Sequence, residues 1–248
     1  PIYLFDAEWE GSEARGFVLR RDPVASLLES ERSHEYRVLE AARGLGVPVP
    51  AVRWLELGRE ALDRPFFVME RVDGMVTPPT FPMAYPDEMR ERCAEDFVSI
   101  LARIHRADWR ALGFDFLAAP SPGHEPARRT IDLWRGIFEQ DRIEANPILT
   151  RAFAWLESHL PETDLVTLVH ADYRSGNYLH DGEGRITAML DWEMAHLGDP
   201  HEDLGWAAMP YWSSGGRICG LLPLDEFVAR WEAATGFRAD RARLRFYQ

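Results

Sequence analysis

The chain has 248 residues, 46% of them hydrophobic, and its 28 basic and 41 acidic side chains give a formal net charge of −13. This length and hydrophobic content fit two lobes around a cleft. The acidic charge disfavours a nucleic acid as partner and would favour a cationic substrate, although it is also typical of a solvated acidic surface.

The first 70 residues predict a small, mostly antiparallel β lobe. Residues 2–7 and 16–20 are strand-like runs joined by a polar turn, which is typical of paired strands. Apolar positions at helical spacing predict a helix over residues 31–45, which glycines and prolines terminate. Residues 52–57 and 66–72 predict two further strands. The predicted order is therefore strand, strand, helix, strand, strand.

The rest of the chain, residues 71–248, predicts a larger and mostly helical lobe with a loop over residues 112–128. His105, at the end of the first long helix, is interpreted as a packing residue. The helical pattern is unfinished at Gln248, which leaves room for a continuation of the chain. Helices are expected over residues 86–107, 130–140, 147–160, 201–209, 224–235 and 240–247, and their aromatic residues Trp134, Phe138, Phe153 and Trp155 are assigned to the core or, for one of them, to a substrate pocket.

A segment between these helices, residues 165–193, carries the polar pattern that is most informative about function. Asp172 and Asn177 lie five positions apart in one loop, and Asp191 follows the next hairpin. The hairpin is expected to return Asp191 to the side of the other two residues. The strands are predicted at residues 165–169, 177–180 and 186–190, with the hairpin turn at 181–184.

These three side chains suit phosphoryl transfer. The reaction requires a carboxylate that orients the attacking hydroxyl and accepts its proton, and Asp172 can supply it. It also requires hard oxygen ligands for Mg²⁺, which Asn177 and Asp191 can supply. Each residue alone is also a common turn former, so the prediction rests on the combination.

The motif His170-Ala171-Asp172, four residues and Asn177, followed by Asp191-Trp-Glu, resembles the aminoglycoside phosphotransferase and choline kinase-like family. The usual family loop begins His-Gly-Asp. Ala171 in place of glycine is acceptable if its φ angle is negative.

The resemblance implies an α+β, bilobal, protein kinase-like fold with a small nucleotide-binding lobe over residues 1–70 and a large lobe over residues 71–248. It implies ATP and Mg²⁺ as cofactors and a small-molecule hydroxyl as acceptor: an aminoglycoside-like compound, a hydroxyacyl compound or another metabolite. By comparison with the family, the first strand and the phosphate-covering loop are expected upstream of Pro1.

The resemblance also assigns nucleotide-binding residues in the small lobe. Arg20 stands where the family has a phosphate-binding lysine, and Glu35 on the following helix would be its partner. With an arginine at this position, the chain resembles one branch of the family, the phosphotransferase domains associated with acyl-CoA dehydrogenases. Met69, Glu70 and Val72 would form the hinge, with apolar side chains against adenine and backbone groups near Glu70 and Val72 bonded to its edge.

Three further residues, His170, Asp199 and Asp203, are expected to support the structure of the site. By resemblance, Asp203 would hold the region of His170. Asp199 would cap the next helix, with Pro200 at the first helical position.

Two other functions remain open. His170, His196 and His201, with Asp172 and Asp191, could instead bind two transition-metal ions in a phosphohydrolase. A non-catalytic kinase-like binding module is the other alternative, because Arg20 replaces the usual lysine and the phosphate-covering loop is expected upstream of Pro1.

Nothing in the chain predicts export or membrane insertion. No apolar run approaches the roughly 20 residues that span a bilayer, and no cleavable signal pattern is visible. Cys93 and Cys219 are too few for a disulfide framework and too isolated for a zinc site. We therefore expect no membrane partner and a reducing, cytoplasmic location. The sequence does not indicate an oligomeric state.

Overall fold

A four-stranded antiparallel sheet forms the small lobe in the computed structural model, which describes residues 1–11, 13–23, 31–76 and 85–248. The predicted strands are present, and the sheet order is β1-β2-β4-β3, with Arg20 opposite Phe67 in the β2–β4 pair. The strands are β1 (Ile2–Ala7), β2 (Arg15–Arg21), β3 (Val52–Glu56) and β4 (Phe66–Glu70).

Helix α1 (Arg32–Gly44) packs against this sheet, one residue shorter at each end than predicted. Its buried face combines apolar residues with the charged residues Arg32 and Glu35. The chain leaves the helix through Gly46, whose φ of +73° belongs to the left-handed region that glycine adopts without steric cost. The apolar part of the face is Val38, Leu39 and Ala42.

The large lobe is mostly helical, as predicted. One correction concerns helix α3, which begins at Glu125, inside the predicted loop, with Pro126 in its first turn. Proline is favoured in the first turn because its missing N–H would have no partner there, and this signal was overlooked. The helices are α2 (Asp87–His105), α3 (Glu125–Asp141), α4 (Pro147–Ser158), α5 (His201–Ala207), α6 (Leu224–Thr235) and α7 (Arg241–Phe246), with short 3₁₀ turns at Phe114–Leu117 and Pro210–Trp212.

Two short antiparallel sheets hold the polar segment. The predicted hairpin is present, and β6 pairs with β9, so that Val169 lies opposite His196. The sequence did not predict β5 and β9. The sheets are β5-β7-β8, with β5 (Met75–Val76), β7 (Tyr178–His180) and β8 (Ile186–Met189), and β6-β9, with β6 (Thr167–Val169) and β9 (His196–Gly198).

One continuous apolar core joins the two lobes, because Val38 and Phe67 of the small lobe belong to the same buried cluster as Phe97 and Trp231 of the large lobe. The assignment of Trp155 to the core was wrong: its side chain is 53% exposed, and helix α4 has no buried residue. Both cysteines are free and buried. No helix within the described ranges is long and apolar enough to cross a membrane.

Candidate active site

The loop over residues 170–177 is held at its start by the buried carboxylate of Asp203 on α5. The N–H groups of His170 and Ala171 donate to its two oxygens at 2.9 and 2.8 Å. His105 Nε2 donates to the same carboxylate at 3.0 Å, since Trp231 donates to His105 Nδ1 and so leaves the proton on Nε2. Burial opposes ionisation of Asp203, but His105 lowers its pKa below the usual value. The placement of Asp203 agrees with its predicted support of the His170 region.

Ala171 has a φ angle of +65°, so the condition under which alanine would replace glycine without strain is not met. A left-handed conformation costs an alanine about 1–2 kcal/mol, which glycine does not pay. The two hydrogen bonds to Asp203 hold His170 and Ala171 in this backbone geometry. The glycine of the usual family motif fits the same conformation.

The side chain of His170 connects the loop to the end of the hairpin. Its Nδ1 accepts from the Asp172 N–H at 3.2 Å, so its Nε2 donates to the Leu190 carbonyl at 3.0 Å. The backbone N–H of Leu190 in turn donates to the Asn177 carbonyl at 2.8 Å. Burial lowers the pKa of His170, which favours the neutral ring that these contacts require. Asp191 is thereby held next to the loop.

Three side chains donate hydrogen bonds to the Asp172 carboxylate. Arg174 Nε and Trp206 Nε1 donate to Oδ1 at 2.8 and 2.7 Å, and Asn177 Nδ2 donates to Oδ2 at 2.5 Å. Asn177 Nδ2 also lies 2.9 Å from the Asp172 carbonyl oxygen. Asp172 and Asn177 are therefore in direct contact. Trp206 was missed, because it lies 34 positions along the chain and no local pattern links it to Asp172.

Arg20 lies at the centre of a cluster of carboxylates between the lobes. Its guanidinium is 3.2 Å from Glu35, 2.9 Å from Asp191 and 2.6 Å from Glu193. The predicted contact with Glu35 is thus confirmed, and Arg20 faces Asp191 across the cleft. Although burial opposes the charged form, Glu35 and Asp191 raise the pKa of Arg20 above its usual value.

The structure adds two residues to the predicted cluster, Glu193 and Arg32. Glu193 was not assigned to the site, although its position two residues after Asp191 could have suggested it. Glu35 has a second cationic partner, Arg32, which also binds Asp22 at 2.7 Å. Burial raises the pKa of Glu35 to about 7, against the opposing effect of both arginines.

A cleft of about 340 Å³ lies beside the cluster. Of the three predicted hinge residues, all of them in the described part of the chain, only Met69 lines it. The N–H of Glu70 already donates to the Ala51 carbonyl at 2.8 Å, and its side chain pairs with Arg53, so the amide is not free for a purine. The cleft is lined by Ile2, Arg20, Glu35, Leu39, Pro50, Met69, Gly176, Asn177, Leu190, Asp191, Trp192 and Glu193.

Asp199 lies at the start of α5. Its Oδ1 accepts from the N–H of His201 at 3.0 Å and from His201 Nδ1 at 2.7 Å. The carboxylate therefore serves the first turn as expected, but Pro200 occupies the N-cap position rather than the first helical position.

The three histidines of the hydrolase hypothesis have separate partners. His170 bonds to Leu190, His201 to Asp199, and His196 lies 3.3 Å from Glu202. Burial opposes the charged form of His196, but Glu202 raises its pKa to about 9. Across residues 1–11, 13–23, 31–76 and 85–248, no group of three His, Cys, Asp or Glu residues is arranged to hold a metal ion. The hydrolase hypothesis lacks the cluster that it requires.

Comparison with known proteins identifies the family. The model of the phosphotransferase enzyme family matches residues 7–247. The chain belongs to this family. Acyl-CoA dehydrogenase family member 10 of Mus musculus is 31% identical to this phosphotransferase-family chain over 202 residues, which are 80% of the chain and 18% of the mouse protein. The chain thus spans about a fifth of the length of that relative. The predicted family is confirmed.

Solved structures agree with this membership. A crystal structure of a candidate aminoglycoside phosphotransferase from Ralstonia eutropha has a TM-score of 0.77 at 25% identity, covering 100% of this chain and 79% of that one. Choline kinase LicA from Streptococcus pneumoniae has a TM-score of 0.63 at 16% identity, covering 98% and 76%. The GDP complex of aminoglycoside 2′-phosphotransferase IIIa has a TM-score of 0.64 at 17% identity, covering 99% and 80%. The predicted bilobal, kinase-like α+β fold is confirmed.

Proposed function

We propose that this chain is an ATP- and Mg²⁺-dependent phosphotransferase that moves the γ-phosphoryl group to a hydroxyl of a small molecule. The observation that carries the proposal is the contact of Asp172 with Asn177 at one end of a cleft where Asp191 faces Arg20. Family membership supports a phosphotransferase, and the GDP complex of a structural neighbour supports use of a nucleotide.

Arg20 is the proposed phosphate-binding residue. Nη1 is held by Glu35, so Nη2 is the end of the guanidinium that faces the cleft, where it now contacts Asp191 and Glu193. A planar arginine can bind phosphate oxygens with two donors at once. We propose that the nucleotide phosphates replace Asp191 and Glu193 as partners of Nη2.

The donor set at the other side of the cleft fits Mg²⁺. Asn177 uses its Nδ2 to hold Asp172, so its amide oxygen is the atom available to a cation. The Asp191 carboxylate is 38% exposed and supplies a second hard oxygen ligand. When bound, Mg²⁺ would neutralise charge on the phosphates.

Asp172 is the proposed general base. It would orient the acceptor hydroxyl and take its proton as the acceptor oxygen bonds to the γ-phosphorus. His170 and Asp203 would act by holding the loop, and Asp199 by holding the start of α5. Met69 would contact adenine. The lobe boundary near residue 70 and a cytoplasmic location stay predictions.

A second cavity, of about 430 Å³, is the proposed acceptor site. It adjoins the phosphate cleft at Glu193, which lines both. The charged side chains of its wall are paired: His196 with Glu202, His34 with Glu31, and Arg129 with Glu125. Thr130 also donates to Glu202 at 2.9 Å. The remaining wall is largely apolar, with Phe116, Leu117, Leu133, Trp134, Met194 and Leu197.

The chemistry of this wall helps to choose among the acceptor classes that the sequence did not distinguish. A polycationic aminoglycoside would need several carboxylates that lack partners, whereas Glu202 is paired with His196 and most of the wall is apolar. An alcohol with an apolar body matches the cavity better. We therefore place a hydroxyacyl or other apolar metabolite ahead of an antibiotic.

A screen of hydroxyl compounds tests the proposal. Purified protein with ATP and Mg²⁺ is expected to release ADP only when an acceptor is present, and the panel should include aminoglycosides, choline, sugars and hydroxyacyl compounds. Nucleotide binding without turnover on any acceptor would favour the non-catalytic module. Stoichiometric zinc or iron, with phosphate-ester hydrolysis in the absence of ATP, would overturn the proposal in favour of the hydrolase.

A further inference from the structure

The two oxygens of the Asp172 carboxylate differ in the donors that they receive. Oδ1 accepts from Arg174 Nε at 2.8 Å and from Trp206 Nε1 at 2.7 Å. Oδ2 accepts from Asn177 at 2.5 Å, and Arg174 Nη2 lies at the longer distance of 3.4 Å. A carboxylate oxygen has two lone pairs, so the two close donors saturate Oδ1. On Oδ2, the long contact with Arg174 Nη2 is the weaker of two, and another donor can replace it.

The donors to Oδ1 are fixed by a second tryptophan. The rings of Trp206 and Trp212 lie 5.4 Å apart, and Trp212 Nε1 donates to the Trp206 carbonyl at 2.6 Å. The guanidinium of Arg174 lies 4.7 Å from the centre of the Trp212 ring. Trp212 therefore supports Trp206 and Arg174, while its own indole N–H donates to the Trp206 carbonyl and not to Asp172.

Helix α5 reaches the 170–177 loop twice from one face. Asp203 binds the N–H groups of His170 and Ala171, and Trp206, three positions later on the same face, binds the Asp172 side chain. Asp203 sets the backbone of the loop. Trp206 acts on the orientation of the carboxylate itself.

We propose that Trp206 is a positioning residue that, together with Arg174, occupies Oδ1 of Asp172 and directs Oδ2 to the acceptor hydroxyl. The inference rests on the proposed function. In the reaction, the hydroxyl proton moves to Oδ2 and the acceptor oxygen bonds to the γ-phosphorus. The bond from that phosphorus to the oxygen bridging to the β-phosphorus breaks, and ADP leaves with the electron pair. The hydroxyl enters by displacing the long contact of Arg174 Nη2.

The contact can be tested without turnover. Nitrogen-15 labelled tryptophan gives separate indole N–H signals by NMR, and the signals of Trp206 and Trp212 are assigned by their loss in Trp206→Phe and Trp212→Phe. In Asp172→Asn, the Trp206 signal is expected to move upfield, because a neutral amide is a weaker acceptor than a carboxylate. The Trp212 signal is expected to stay in place. An unmoved Trp206 signal, or an equal movement of both, would overturn the proposal.

The kinetic arm separates positioning from general structural damage. Trp206→Phe keeps the aromatic packing and removes one donor, so kcat is expected to fall about tenfold with KM for ATP unchanged. Trp155→Phe, a matched control on the exposed helix α4, should keep at least half of the wild-type kcat. An unchanged kcat in Trp206→Phe would contradict the positioning role. A wild-type protein inactive on every acceptor would contradict the proposed function instead, while the NMR result would still decide the contact.

Discussion

The 170–177 loop and the Arg20 cluster meet in one cleft but are stabilised in different ways. The loop is bound by the buried Asp203, which is 0% exposed and accepts from two backbone N–H groups and from His105. The cluster consists of charges around Arg20, and its carboxylates Asp191 and Glu193 are 38% and 29% exposed. The contacts of Asp203 are internal to the fold, whereas those of Arg20 face the cleft in which the ligands are proposed to bind.

The difference separates stability from binding. Donors around Asp203 lie where a ligand cannot compete for them, so the loop geometry is set when the chain folds. Around Arg20, a phosphate can exchange with Asp191 and Glu193, so that geometry depends on what is bound. A substitution at Asp203 should therefore lower the stability of the fold, whereas the matched substitution at Asp191 should mainly change ligand binding.

The largest expected effect on stability is that of Asp203→Asn. An asparagine offers one acceptor where the loop needs two, and its NH₂ would face a buried N–H. The free energy of unfolding should fall by about 3 kcal/mol, measured by urea denaturation. A loss below about 0.5 kcal/mol would remove Asp203 as the residue that holds the loop.

A smaller change of opposite sign is expected from Ala171→Gly. Glycine adopts the observed φ of +65° without strain, so the variant should be more stable by up to about 1 kcal/mol, despite the greater freedom of its unfolded chain. The same denaturation experiment measures it. Destabilisation would show that the buried methyl group contributes more than the strain costs.

Asp191→Asn is the matched control for Asp203→Asn in the exposed cluster. Because Asp191 is 38% exposed and Arg20 keeps Glu35 and Glu193 as partners, the free energy of unfolding should change by less than about 1 kcal/mol. Binding of ATP should nevertheless lose its dependence on Mg²⁺, which calorimetry with and without the metal can measure. A variant that is strongly destabilised, or that binds Mg²⁺–ATP normally, would break the distinction between the two regions.

The smallest effect concerns pH. The pKa of His196 is raised from 6.5 to about 9 by Glu202, so its ion pair stabilises the fold fully below pH 6.5 and loses that contribution as the pH rises through 9. The free energy of unfolding should decline over this interval in the wild type and decline less in His196→Gln. Equal slopes would show that the ion pair does not stabilise the fold.

The sequence predicted the parts of the site that depend on local order. Strand, loop and hairpin follow from apolar runs and turn residues, and they bring Asp172, Asn177 and Asp191 together. The contact of Arg20 with Glu35 follows from the order of strand and helix. In both cases the spacing of residues along the chain determines the neighbours.

The sequence could not predict contacts that depend on how distant elements pack. The donation from Trp206 to Asp172 arises only when α5 packs against the 170–177 loop. The positive φ of Ala171 has the same origin, since the contacts of Asp203 override a local preference. The hinge amide of Glu70 is taken by Ala51 of a neighbouring segment, which no local pattern indicates.

The most direct test of the proposed phosphotransferase activity follows the labelled γ-phosphoryl group of ATP in the wild type and in Asp172→Asn, with the best acceptor of the screen. The wild type should place the label on the acceptor with one ADP per transfer. Asp172→Asn should bind ATP normally and transfer roughly a hundred- to ten-thousand-fold more slowly, the range typical of a general base. Label released as inorganic phosphate, or equal transfer rates in both proteins, would contradict the proposed role of Asp172 in phosphoryl transfer.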